Sequence, residues 1–89
     1  MIVTETFDVG TSEAVLVVPA LHTAQDVRLH NHEHGQSHFV FVGDSAVGTA
    51  NGFDVAAESY LSLMIPAGEE LWAISNHDTV EFHVMRVAK

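Results

Sequence analysis

The chain contains no cysteine. Disulfides and thiolate metal sites are therefore excluded as means of holding an 89-residue chain together. Basic residues are almost as scarce: Arg28, Arg86 and Lys89 stand against twelve acidic residues, for a formal net charge of −9. Nucleic-acid binding needs Lys and Arg to displace counterions from phosphates, so no nucleic-acid partner is expected, and no anionic membrane surface either. No apolar run approaches the ~18 residues of a membrane span. The opening MIVTETFDVG lacks the basic n-region and the apolar length of a signal peptide, so synthesis in the cytoplasm is expected. Helical periodicity is missing as well, since no segment repeats apolar residues at a 3.6 spacing over three turns. The glycines of residues 43–52 have no helix after them, which removes a phosphate-binding loop.

What remains is a valine-rich chain, 47% hydrophobic, which is incompatible with disorder. Its length gives one domain, residues 1–89, and a chain this short buries only about 60–65% of its unfolded surface. Alternation and turn chemistry predict eight strands, over 2–9, 14–18, 27–32, 38–42, 53–55, 60–65, 71–75 and 79–87. Turn signals every 8–12 residues make this an all-β domain, a small sandwich or barrel of mostly antiparallel strands. Val27, Leu29 and Asn31 share one face of the third strand, and Arg28, His30 and His32 the other. In the fourth, Phe39 and Phe41 are expected to anchor the core. Gly35 is the expected positive-φ residue of the turn at 33–36, and Asn51-Gly52 carries the strongest hairpin signal. Val47 is expected to pin the loop at 43–52. In the last strand Val80, Phe82 and Val84 share one face, and Glu81, His83 and Met85 the other.

Four of the seven histidines lie between Val27 and Gly43. Same-face neighbours on a strand are ~6.5–7 Å apart, close enough for His30 and His32 to share an ion. A zinc site needs three or four ligands, and His34 or His38 supplies the third in that reading. The simpler reading makes all four solvated polar residues on a hairpin tip. Imidazoles ordinarily titrate near pH 6.5, so protonating all seven would take the formal charge from −9 to −2 and give the chain some pH sensitivity. Ser37 and His38 point to opposite faces and form no nucleophile pair. Glu69-Glu70 is a solvated turn.

The spacing His30-Asn31-His32 resembles the first motif of the cupin family, which continues with a glutamate and then a glycine. Gln36 stands in place of that glutamate, and Gly43 follows it. Pro66-x-Gly68 resembles the start of the second cupin motif, with Leu71 at the ligand-histidine position and Ser75 at the asparagine position. An amide and an aliphatic chain do not replace a carboxylate and an imidazole on iron, manganese or zinc. The cupin resemblance implies a minimal metal-binding domain or enzyme using His30, His32 and their neighbours.

A second resemblance spans nearly the whole chain. Val9-Gly10-Thr11-Ser12, Val27 to Asn31, Val40-Phe41-Val42-Gly43, Val47, Asn51-Gly52-Phe53, Leu71-Trp72-Ala73-Ile74-Ser75 and Val84-Met85-Arg86-Val87 occur in order. Together they resemble small virion structural proteins of tailed bacteriophages, of the capsid-decoration type. That resemblance implies a non-enzymatic protein on the outer surface of an assembled capsid, stabilising contacts between capsid subunits. It implies the major capsid protein and copies of itself as partners, and neither catalysis nor a cofactor. A tail or head-fibre component is the alternative within the virion. Phe53 and Trp72 are the candidate interface anchors, because aromatic side chains dominate binding hot spots; burial of both in the core is the competing reading, stronger for Trp72.

Overall fold

A computed structural model describes residues 1–34 and 37–89. The expected turn residue Gly35 and the cupin-motif position Gln36 lie outside the described residues. Among the described residues eight strands follow in order: β1 (Ile2–Val9), β2 (Val15–Val18), β3 (Gln25–Asn31), β4 (Val40–Gly43), β5 (Phe53–Val55), β6 (Tyr60–Ile65), β7 (Leu71–Ser75) and β8 (Val80–Ala88). They form two four-stranded sheets of order β1-β8-β3-β6 and β2-β7-β4-β5, and every pairing is antiparallel. Every connection except that from β4 to β5 thus crosses from one sheet to the other, which is the jelly-roll arrangement of an all-β sandwich.

The space between the sheets is filled mainly by valine. Val9, Val27, Leu29, Val80, Phe82 and Val84 enter from the first sheet, and Val18, Val40, Val42, Val55, Leu71 and Ala73 from the second. Phe82 is the largest fully buried side chain and lies on the central strand β8. Pleating forces the intervening residues outward, so each sheet has one dry and one open face.

The fourth strand turns out inverted relative to expectation. Val40 and Val42 are buried, at 0% and 5% exposure, whereas Phe39 and Phe41 are only half-buried and face outward. Register sets this: Val42 stands opposite Ala73 and Val40 opposite Ser75, both inward-facing residues of β7. Phenylalanines in those places would overfill a layer built for β-branched side chains. The nearly continuous apolar run of β2 has a related cause. A register shift between Leu16 and Val18 lets Val17 and Val18 both be buried while Leu16 stays on the outer face, opposite Trp72.

The expected hairpin at Asn51-Gly52 exists only as a pairing of β4 with β5; the connection is a longer loop. Asn51 closes that loop from within, its side chain accepting from Gly48 N–H at 2.6 Å. Gly52 is required for room: a Cβ there would stand 2.6 Å from Phe41 Cβ and 2.8 Å from Val47 Cγ2. Val47 itself is 8% exposed and pins the loop, as expected.

Candidate functional site

The outer face of the first sheet gathers the histidines. His30 on β3 stands opposite His83 on β8. One step along, His32 donates its backbone N–H to Glu81 O at 2.9 Å, continuing the ladder just past the end of β3. Four outward side chains therefore occupy the corners of a rectangle: His30 and His32 along one strand, His83 and Glu81 along its neighbour. The rings of His32 and His83 stack with centroids 4.5 Å apart, and those of His30 and His83 meet edge-on at 5.9 Å. Tyr60, opposite His30 on β6, covers the far side of that imidazole at 4.1 Å, with the Arg28 guanidinium 4.8 Å from the Tyr60 ring centre.

With the imidazoles neutral, hydrogen bonding assigns the ring protons. The Ser59 carbonyl only accepts, so His30 Nδ1, 3.3 Å away, is its donor. Neutral His30 then has a bare Nε2, which accepts from His32 Nδ1 at 3.3 Å. This leaves the lone pair of His32 on Nε2, 4.0 Å from Glu81 Oε2. On the other strand His83 Nε2 donates to the same carboxylate oxygen at 2.6 Å. A chain of oriented imidazoles thus ends at one carboxylate.

The loop that carries His32 is fastened from below. Asn31 is fully buried, and its amide donates to His38 O at 2.9 Å and Val55 O at 3.0 Å. Its Oδ1 accepts from Glu33 N at 3.2 Å. Glu33 in turn accepts from Glu81 N at 3.3 Å, and this bond, with a second from His38 Nδ1 at 3.3 Å, holds its carboxyl below the usual carboxylate range. The backbone on both sides of the rectangle is therefore fixed relative to the two sheets.

The ligand set His30, His32, His34 and His38 is only half assembled. His30 and His32 do come together, and the His34 ring lies 6.0 Å from that of His32 but pairs with Glu58 at 2.9 Å. His38 points elsewhere, stacked at 3.7 Å on His77 and paired with Glu33. Leu71, at the cupin ligand position, faces the core from the second sheet, and Ser75 is buried against Val9 O. The residues that complete the cluster are Glu81 and His83, which the sequence places on one face of the last strand. Recognising their role requires knowing that β8 lies beside β3.

The second sheet presents a different outer face. Leu16 stands opposite Trp72, and Ile74 opposite Phe41, with Phe39 6.4 Å from Phe41 by ring centroids. All five are half-buried, so a contiguous apolar surface lies on the side of the sheet away from the core. Trp72 belongs to this surface and not to the core; its indole N–H donates to Glu70 at 3.2 Å. Phe53 is 63% exposed on the edge strand β5.

No protein-family model and no curated protein matches the chain. Among solved structures it is similar to a protein of the Bacillus endospore appendages, a family of disulfide-linked pili, with a TM-score of 0.61 and 11% identity over 99% of this chain and 85% of that one. At that identity the likeness is one of fold. The linkage that names those pili has no counterpart here, because this chain has no cysteine.

Proposed function

We propose that the protein is a structural component of a tailed-phage virion, a decoration protein that binds the outer surface of the assembled capsid and stabilises contacts between capsid subunits. The observation that carries this reading is the outer face of the second sheet. Leu16, Phe39, Phe41, Trp72 and Ile74 lie together on a sheet whose other face already supplies the core. Such a surface on so small a domain marks a contact with another protein. Aromatic enrichment and scarcity of charge are the composition of an interface centre.

Three further features agree. Jelly rolls recur in viral shells, although the same fold serves lectins and cupins and so does not decide function. The net charge of −9 repels a packaged genome and suits the outside of a shell. A small disulfide-free domain also gains stability from a partner that binds only its folded form. The partner in this reading is the major capsid protein, together with neighbouring copies of the chain at a symmetry site.

The test is co-sedimentation of the purified chain with empty shells assembled from the major capsid protein of the same genome. Saturable binding is expected, with Trp72→Ser weakening it by about 2 kcal/mol, roughly thirtyfold in Kd. Absence of binding at micromolar concentration rejects capsid decoration. Binding to purified tails with none to shells moves the protein to the tail or fibre.

A further inference from the structure

We propose that His32, Glu81 and His83 form a surface binding site for a divalent transition-metal ion, with Zn2+ as the natural occupant and His30 as the positioning residue of the site. This inference is independent of capsid binding, because the cluster lies on the first sheet and the apolar surface on the second.

The first support is convergence. One nitrogen from each imidazole and one oxygen from Glu81 lie within 4.8 Å of one another. Ligand atoms at ~2.0–2.2 Å from a tetrahedral zinc are separated by somewhat more than 3 Å, so the cluster has to close by little more than 1 Å. Two imidazoles and a carboxylate, leaving one position for water, is a donor set that zinc accepts.

The second is preorganisation. His32 and Glu81 are held together by the backbone bond between them and by the bond from Glu81 N–H to Glu33, so the ligand spacing does not depend on a flexible loop. His32 Nδ1–H is already donated to His30, whose own Nδ1–H is donated to Ser59 O. A metal-bound histidine typically donates its other ring N–H in this way, which fixes the tautomer and the ring angle. His32 Nε2 therefore has its lone pair directed toward Glu81 before any ion arrives.

The third is electrostatic. The carboxylate of Glu81 faces two imidazoles, Glu33 lies behind it, and the whole chain is strongly acidic. One rearrangement is needed. An ion lies in the plane of each ring that binds it, whereas the rings of His32 and His83 are stacked at an interplanar angle of 17°. One ring must turn about χ2, a broad torsion for histidine. The His83 side chain is 38% exposed and can do so while the bond from His32 to His30 stays in place. The proton on His83 Nε2 moves to Nδ1 in the same step, which keeps the imidazole neutral.

Titration of the EDTA-treated, dialysed full chain with zinc chloride tests the proposal, by calorimetry for stoichiometry and by Co2+ substitution for the visible absorption of a tetrahedral site. One ion per chain is expected. His32→Ala and His83→Ala should each weaken binding about tenfold or more, and His30→Ala about tenfold through loss of orientation. His30→Gln, which restores an acceptor for His32 Nδ1–H, should recover part of that loss. The double variant His38→Ala/His77→Ala should leave affinity unchanged. Since all these side chains are outside the core, far-UV circular dichroism should match the wild type throughout. Absence of stoichiometric binding overturns the proposal, as does binding that survives both His32→Ala and His83→Ala or that depends on the His38–His77 pair.

Discussion

Asn31 is the polar side chain on which the placement of the histidine loop depends, and replacing it gives a sharp test. Its amide makes two donor bonds to backbone carbonyls from separate segments, His38 and Val55, and its oxygen receives Glu33 N–H. The residue is fully buried. Each neutral hydrogen bond contributes about 1 kcal/mol net, and a buried backbone group left without a partner costs about 1–3 kcal/mol. Asn31→Ala is therefore expected to lose about 3–5 kcal/mol, a large share of the 5–15 kcal/mol available to a domain. With a urea m-value of about 1.5 kcal/mol/M the midpoint falls by about 2–3 M. Asn31→Leu separates the causes, because leucine fills the space but strands the same three backbone groups. If the loss came from the cavity, leucine would restore most of it; if from hydrogen bonding, leucine is nearly as damaging as alanine. Urea denaturation followed by Trp72 fluorescence measures both. A loss below about 1 kcal/mol for alanine, or recovery by leucine, refutes the hydrogen-bond account.

Gly52→Ala should destabilise by about 1–3 kcal/mol, because the added methyl group overlaps Phe41 Cβ and Val47 Cγ2; an unchanged melting temperature would show that the loop yields freely. Glu33 gives a pH dependence. Its carboxyl is held low by Glu81 N–H first and His38 second, so its contribution is fully present above the unfolded value of about 4.3 and is lost as pH falls through the folded value. In EDTA, the stability difference between wild type and Glu33→Gln should be about 1 kcal/mol at neutral pH and shrink below about pH 4.3. A difference that stays constant down to pH 3 would contradict the assignment.

Local chemistry in the sequence marks most of the strands. The bounds of β1, β5, β6 and β7 coincide with the alternation and turn signals, and β3 and β8 differ by one or two residues at their ends. The face of the fourth strand was illegible for a physical reason. Phe39-Val40-Phe41-Val42 is apolar on both sides, so alternation carries no polar partner to mark the outside, and only register against β7 decides it. The Asn51-Gly52 signal marks a real pairing but a different backbone: the glycine is there for space between Phe41 and Val47. The candidate metal site was half legible. His30 and His32 stand out as a strand-spaced pair, whereas Glu81 and His83 join them only through a pairing that brings together residues about fifty positions apart. Nothing local specifies that pairing.

The central place of β8 in the first sheet has a consequence for how the protein is made. β8 lies between β1 and β3, and β1 pairs with it along eight residues, from Ile2 opposite Val87 to Val9 opposite Val80. On the ribosome, β1 is synthesised first and has no neighbour until β8 has emerged, whereas the second sheet is complete once β7 is out. A chain lacking only β8 therefore has a finished second sheet and a β3–β6 pair, with β1 still unpaired. Contacts so distant in sequence also make folding slow, on the scale of milliseconds to seconds. During that interval protection against aggregation falls to charge, and the acidic residues of β1, Glu5 and Asp8, begin supplying it from the first strand made.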